Sequence, residues 1–213
     1  MVLQGRQRGK PMEMLSPGRQ AVADRVIGPR HVDIGCDHGL LPLALCSRLQ
    51  RVIAVEKHRG PFETARRALS GSAVDLRQGD GLDPLQAGEV DSLSACGMGA
   101  LNIRDLLQRG REKLPPQLVL QPQDNALPVR RWARENGFHL RDECWIDGHV
   151  VVDLQVGTGP DPAYAGLPEE AEFFGPLLLH HREYLSRQQQ WLEGLGRPDS
   201  RLEFVRRLLR AFR

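Results

Sequence analysis

Four acidic side chains stand beside turns: Asp33 and Asp37 in VDIGCDHGLLP (32–42), Glu56 at the end of RVIAVE (51–56), and Asp80 in RQGDGL (77–82). The first stretch begins like the glycine turn of a nucleotide-binding fold, where backbone approaches a ligand closely. It then places Asp37 and His38 where such a turn usually holds glycine. Glu56 follows Gly35 by 21 residues, the spacing at which a carboxylate closing the second strand accepts hydrogen bonds from two ribose hydroxyls. Taken alone it reads equally well as a solvated cap of the next helix. Asp80 reads as an acceptor for an adenine amino group or as a plain Asp-Gly turn. No Walker lysine motif competes with these residues.

Such residues need a scaffold. RHVDIG (30–35), RVIAVE, VDSLSAC (90–96) and QLVLQP (117–122) are short apolar or β-branched runs, each closed by a turn, and predict buried parallel strands. VDLRQGD (74–80) predicts a weaker one. Between them LPLALCSRLQ, GPFETARRALSG, MGALNIRDLLQRG and LPVRRWARENG repeat apolar residues at helical spacing and predict crossover helices. Strand and helix alternation over about 140 residues predicts a parallel sheet covered on both faces, with its ligand crevice at the carboxyl ends of the strands. The acidic turns fall there.

After Gly137 the pattern changes to FHLRDECWI, the turn pair Asp147-Gly148, and HVVVDLQVG, an antiparallel hairpin. GTGPDPAYAGLPEE (157–170) reads as a linker or lid. FFGPLLLHHREYLSRQQQWLEGLG (173–196) and RLEFVRRLLRAFR (201–213) read as two helices with a Gly/Pro break between them. Leu177, Tyr184, Gln188, Trp191 and Leu195 share a stripe on the first; Leu202, Val205, Leu208 and Leu209 share one on the second, which predicts an antiparallel helical hairpin. The expected organisation is a basic helical segment (1–30), an α/β ligand-binding domain (31–158), a linker (159–170) and a C-terminal α-helical hairpin (171–213).

Charge is segregated along the chain. Residues 1–30 and 180–213 are each +4, whereas 31–179 is −6. Basic ends on an acidic body suit a polyanionic partner, although terminal arginines also serve simply to solvate exposed helices. The longest apolar run, LLPLALC, is far short of the roughly 20 residues of a membrane span, and the N-terminus has no signal-peptide core. Four scattered cysteines, with no CxxC pair or histidine at ligand spacing, indicate reduced thiols and no structural metal. A cytoplasmic protein without membrane association is expected, a monomer or weak dimer.

A parallel sheet closed by an antiparallel hairpin, with Asp33, Gly35, Glu56 and Asp80 at its turns, resembles the Rossmann-like class I methyltransferases and their S-adenosyl-L-methionine site. DIGCDHGLLP, GPFETA (60–65), RQGDGL, CGMGALNI (96–103), LQP (120–122), RRWARENGF and FFGPLL (173–178) occur in one order. Together they are similar to the bacterial tRNA adenine-22 N1-methyltransferase family, from about Leu15 to Pro176. The resemblance implies S-adenosyl-L-methionine as cofactor and tRNA as partner. It adds Gly39, Gly81 and Cys96 to the cofactor site and places Asp37 and His38 beside the transferred methyl group. Gly97, Met98, Gly99, Gln121 and Pro122 become the substrate side, and a helical hairpin follows the catalytic domain.

The chemistry agrees with that placement. Adenine N1 has an in-plane lone pair, so attack on a sulfonium methyl needs no prior deprotonation but creates a cationic base. A carboxylate at Asp37 stabilises that charge and accepts the N6–H; the other reading makes Asp37 a backbone-bonded loop residue or a cofactor ligand. Enzymes of exocyclic amines usually present an Asp/Asn-Pro-Pro-aromatic turn after the fourth strand, and CGMGA offers neither the amide nor the aromatic. Met98 would be a soft wall for the base.

Departures from the family pattern fall on the substrate side: Leu40 replaces an aromatic, Ala100 a second glycine, Gln123 an asparagine, and LSPGR an LSxRL motif, which shifts Arg19 by one place. An aromatic platform is worth about 1–3 kcal/mol per stacked base. Arg182, Arg187, Arg201, Arg206, Arg207 and Arg210 of the tail are assigned to phosphate contacts. Two other functions stay open on the sequence alone: a cofactor-sensing RNA-binding module without turnover, and a methyltransferase acting on rRNA or a small molecule.

Overall fold

A computed structural model describes residues 14–212; Arg6, Arg8 and Lys10 of the basic N-terminal segment, and Arg213, lie outside it. Seven strands form one sheet: β1 Arg30–Ile34, β2 Arg51–Glu56, β3 Asp75–Gln78, β4 Ser92–Met98, β5 Gln117–Pro122, β6 Phe138–Ile146 and β7 His149–Val156. Their order is β3-β2-β1-β4-β5-β7-β6. β1 to β5 are parallel, while β7 runs antiparallel to both β5 and β6. The chain reverses its direction of winding between β1 and β4, and the carboxyl ends of these two strands therefore splay to leave a crevice.

Among the described residues eight α-helices accompany the sheet: α1 Pro17–Arg25, α2 Leu40–Leu45, α3 Arg59–Ala68, α4 Ala100–Arg109, α5 Leu127–Glu135, α6 Glu170–Phe174, α7 Arg182–Gly194 and α8 Ser200–Arg210. Side chains alternate across each strand, and the two faces differ in chemistry. Val32, Ile34, Leu93, Ala95, Leu118 and Leu120 belong to the large apolar core that also holds Ile103 and Leu107 of α4 and Trp132 of α5. The opposite face, beneath α1 and α2, carries Val52, Val119 and Val151 but also buried His31, Asp33, Ser92, Ser94, Gln117 and Asp153. Among the described residues no helix is long and apolar enough to cross a membrane.

The C-terminal helices share the large core through Tyr184, Leu185, Leu192, Phe204 and Val205. They are antiparallel: Glu193 near the end of α7 pairs with Arg206 of α8, while Arg182 at the start of α7 shares a groove with Arg210. The first helix does not begin at Phe173 as the sequence suggests. Gly175, at φ 92°, breaks it into α6, a 3-10 turn over Pro176–Leu178, and α7. Leu177, expected on the apolar stripe, is consequently exposed, and Trp191 on the same stripe is half exposed, stacked on Phe173 with ring centroids 6.0 Å apart. Phe204, unassigned in the sequence pattern, takes a core place against Phe174. The stretch 159–170 is built rather than loose: Asp161 caps a 3-10 turn and accepts the Leu140 amide at 2.8 Å.

Gly175 is required by a buried ion pair. Arg130 of α5 donates to Glu143 of β6 at 2.8 and 3.1 Å, and its third nitrogen donates to the carbonyls of Glu172 and Phe173. The Leu177 amide donates to the other oxygen of Glu143 at 2.9 Å. A Cβ at position 175 would overlap both charged groups. Arg130→Ala, which strands the Glu143 charge in the interior, is expected to destabilise the fold by about 3–5 kcal/mol. The denaturant midpoint at unchanged m-value measures it, and a shift below about 1 kcal/mol would contradict the assignment.

Candidate active site

The carboxyl ends of β1, β2 and β4, with the turn after β3, open onto a cavity of about 430 Å³. Ten of the residues expected at the site line it: Asp33, Gly35, Asp37, His38, Glu56, Asp80, Gly81, Cys96, Gly97 and Met98. Four others are elsewhere. Gly39 is buried at the start of α2, where a Cβ would press within 2.9 Å of Leu69, and it does not line the cavity. Gly99 precedes α4 and keeps no place in the cavity wall; the Ala100 amide after it donates to Asp124 at 2.6 Å. Gln121 turns its amide onto Gly18 of α1, and Pro122 is buried at the end of β5.

The glycine turn is anchored to β2: the Gly35 and Cys36 amides both donate to the Val55 carbonyl, at 2.8 and 3.1 Å. Gly35 has φ 72°, a conformation glycine adopts without steric cost. Asp37 is also left-handed, at φ 51°, which aspartate tolerates better than most residues. Its amide donates to Glu56 Oε2 at 3.3 Å, and the His58 amide donates to Oε1 at 2.8 Å. Glu56 is thus buried, oriented by two backbone donors, and each oxygen retains a further lone pair for a ligand hydroxyl. Asp80 bonds Lys57 at 2.9 Å and Arg109 at 3.4 Å, both through Oδ2. Lys57 above all holds its carboxyl below the usual range.

Asp33 is 4% exposed. Burial raises its carboxyl to about 7, against the pull of the Ser94 hydroxyl and of Arg19. Burial likewise raises the thiols of Cys36 and Cys96, so both are protonated at neutral pH. Asp37 is half exposed, and His38 Nε2 lies 3.5 Å from its Oδ1. Met98 forms a wall, its Cε 3.5 Å from where a Gly35 side chain would start. At Gly97, φ 73°, a Cβ would meet only Gln123 Nε2 at 3.9 Å, so open space lies above the backbone.

Lys57, His58 and Pro61 of the wall escaped the sequence reading. Arg19 lies 3.8 Å from Asp37 and lines the cavity with Leu40, Lys57, His58, Pro61 and Gln123. The shifted LSPGR motif still delivers it: Ser16 caps α1 by accepting the Arg19 amide, and Pro17 sits at the first helical position, which proline tolerates. A side chain at Gly18 would displace the Gln121 amide, which packs against the helix there. Leu40 and Gln123, two of the substitutions expected on the substrate side, both line the cavity.

Among the tail arginines, Arg182, Arg206 and Arg210 line a surface groove of about 380 Å³ between α7 and α8 with Ser186 and Gln189. Arg206 pairs there with Glu193 at 2.8 Å. Arg207, Arg187 and Arg201 instead lie over the rings of Phe204, Trp145 and Phe173. The structure gathers three of the six arginines and disperses the rest.

A cavity of nucleoside-and-amino-acid size, with Glu56 closing β2, Asp33 closing β1 and Asp80 after β3, fits S-adenosylmethionine, and the strand order with antiparallel β7 is that of its class I methyltransferases. Residues 31–200 match the tRNA (adenine(22)-N(1))-methyltransferase family, and the chain belongs to it. It is 34% identical over 204 residues to the tRNA (adenine(22)-N(1))-methyltransferase of Bacillus subtilis, covering 90% of this chain and 85% of that one. The crystal structure of the B. subtilis m1A22 tRNA methyltransferase has a TM-score of 0.79 at 27% identity, over 92% of this chain and 99% of that one. A Streptococcus pneumoniae structure solved with S-adenosyl-L-methionine has the same fold, with a TM-score of 0.76 at 23% identity over 93% and 97% of the two chains.

Glu56→Ala removes the carboxylate expected at the cofactor ribose, and calorimetry is expected to show both S-adenosylmethionine and its demethylated product weakened by roughly 1.5–3 kcal/mol. Unchanged affinity for both would refute the placement of Glu56.

Proposed function

We propose that Asp37 is the catalytic carboxylate in methyl transfer to N1 of adenine 22 in tRNA, and that the groove of Arg182, Arg206 and Arg210 takes the RNA backbone. The cofactor supplies an electrophilic methyl group. Asp33, Glu56 and Asp80 hold it, through its ammonium, its ribose hydroxyls and its adenine amino group respectively. Gly97 and Met98 then leave room for a substrate base beside Asp37. Attack by N1 makes that base cationic, and the Asp37 carboxylate stabilises the charge as it develops while accepting the N6–H. Arg19 and His38 flank Asp37 and orient it. No base is needed to activate N1.

The observation that carries this reading is the left-handed Asp37 itself. Its φ of 51° and its amide bond to Glu56 hold a half-exposed carboxylate at the mouth of the cofactor cavity. Asp37→Asn keeps the volume and loses the charge. Single-turnover rates on bound tRNA are expected to fall on the order of 100-fold with cofactor affinity retained. An unchanged rate with collapsed cofactor binding would make Asp37 a cofactor ligand instead.

An adenine within folded tRNA must leave its stack at a cost of about a few kcal/mol, which backbone contacts elsewhere offset. Each neutralised phosphate releases counterions, so affinity falls with salt. Replacing Arg182, Arg206 and Arg210 by alanine is expected to flatten the dependence of log affinity on log salt by about one unit for each phosphate no longer neutralised. Identical slopes, with cofactor binding intact, would show that the tail does not touch RNA.

A further inference from the structure

Beneath the cavity lies a row of four side chains, of which methyl transfer uses only Asp33. His31 and Asp33 of β1 stand beside Ser92 and Ser94 of β4, all of them at most 4% exposed. Ser92 Oγ lies 2.8 Å from His31 Nδ1, His31 Nε2 lies 2.9 Å from Ser94 Oγ, and Ser94 Oγ lies 2.6 Å from Asp33 Oδ1. One end of the row, Asp33, is part of the cavity wall; the other is interior.

A hydroxyl has one proton and a neutral imidazole one N–H, so the row has two self-consistent directions. With Asp33 ionised, Ser92 donates to Nδ1, Nε2–H donates to Ser94, and Ser94 donates to the carboxylate. With Asp33 protonated on Oδ1, the oxygen that faces Ser94, every bond reverses: the acid donates to Ser94, Ser94 to Nε2, Nδ1–H to Ser92, and Ser92 to the Arg30 carbonyl at 3.5 Å. Mixed directions set donor against donor or acceptor against acceptor where no water can intervene. An ionised Asp33 therefore requires the Nε2–H tautomer of His31, and the Nδ1–H tautomer requires a protonated Asp33.

The charged surroundings leave both directions accessible. Asp33 faces Arg19 from α1, Glu56 from the end of β2, Cys36 and Asp37 from the turn, and Cys96 from β4, while Arg48 after α2 acts on His31. Burial lifts the Asp33 carboxyl to about 7. Burial and then Arg48 lower His31 to about 3, so the ring is neutral in either direction.

We propose that His31, Ser92 and Ser94 are positioning residues that couple cofactor binding to the charge of Asp33. Binding of the cationic cofactor selects the ionised direction, releases one proton from Asp33 to water through the cavity, and moves the imidazole proton of His31 from Nδ1 to Nε2. Each serine keeps one proton and the ring keeps one, so only the carboxyl proton leaves. The methyl donor carries a sulfonium and an ammonium, its product only the ammonium, and the donor therefore favours the ionised row more strongly. Protons compete with the cofactor: affinity is flat above pH 7 and falls as pH drops below it, approaching tenfold per unit.

The inference rests on the cofactor reading of Asp33. Its test is calorimetric titration of S-adenosylmethionine in phosphate and in Tris, together with nitrogen NMR of the His31 ring on 15N-histidine protein. Release on the order of half a proton at pH 7 is expected, with the protonated ring nitrogen changing from Nδ1 to Nε2. Ser94→Ala cuts the row, so the cofactor binds more weakly and the His31 tautomer ceases to respond; Ser94→Thr restores both. Tight binding with buffer-independent heats from pH 6 to 8, or a His31 tautomer indifferent to the cofactor, overturns the proposal whatever the variants do. A wild-type protein that binds no S-adenosylmethionine overturns the cofactor site and the row with it.

Discussion

The pair of Arg130 and Glu143 is the constraint on which the joining of the two halves depends. Taking both ions out of water costs several kcal/mol each, and the attraction between them compensates only when the remaining donors and acceptors are also used. Here they are: the carbonyls of Glu172 and Phe173 take the guanidinium, and the Leu177 amide takes the carboxylate. Those partners come from the segment that leads into the hairpin. The ion pair is therefore satisfied only when α6 and the turn after it are docked on α5 and β6. Glu172, through Arg131 and Arg134, fastens the same junction at the surface. A hairpin held this way keeps its arginine groove in a fixed relation to the cavity.

At the cavity the same logic is applied to one turn. Glu56 orients itself by taking the amides of Asp37 and His58, so the two residues proposed for the ribose and for the substrate base are tied by a single hydrogen bond. That tie explains why the turn tolerates Asp37 at a left-handed φ: its amide has to point at Glu56 while its side chain points outward. A glycine would adopt the conformation more easily but would leave the mouth of the cavity without a charge. The answer to the odd composition of DIGCDHG is that only Gly35 and Gly39 need to be glycine. The first needs it for the turn, the second for packing on Leu69.

The sequence is legible where one residue type answers one physical demand. Strand and helix alternation, the reversal to an antiparallel hairpin and the cluster of Asp33, Gly35, Glu56 and Asp80 follow from periodicity and spacing, and the cavity contains all four residues. It is illegible where distant segments meet. Nothing local in RRWARENGF says that its first arginine is buried, or that FFGPLL must break at Gly175 to let it through; the run therefore reads as one helix. Gln121 and Pro122 are expected on the substrate side through the resemblance of LQP to the family, and the Gln121 amide instead lies against Gly18 of α1. The six tail arginines look alike in a sequence, whereas three gather in a groove and three cover aromatic rings.

The polar sheet face beneath α1 explains why Arg19 is equally hard to read from the sequence. A strand buried on both sides of a parallel sheet is expected to read as a continuous apolar run, and His31, Asp33, Ser92, Ser94, Gln117 and Asp153 break that expectation. They are matched among themselves and to α1. Gln117 donates to the Arg25 carbonyl and to Asp153 and accepts the Ile27 amide, while Arg141 closes Asp153 from the other side. Gln117 thereby satisfies a carbonyl at the end of α1 that a helix leaves without an internal partner. The helix is held by hydrogen bonds to named strand residues as well as by Ala21, Val22 and Val26, and its rotation about its own axis is set more narrowly than apolar contact alone would set it. Arg19 is six residues from Arg25 on that helix, so the bonds that seal its far end also decide that the guanidinium arrives at Asp37.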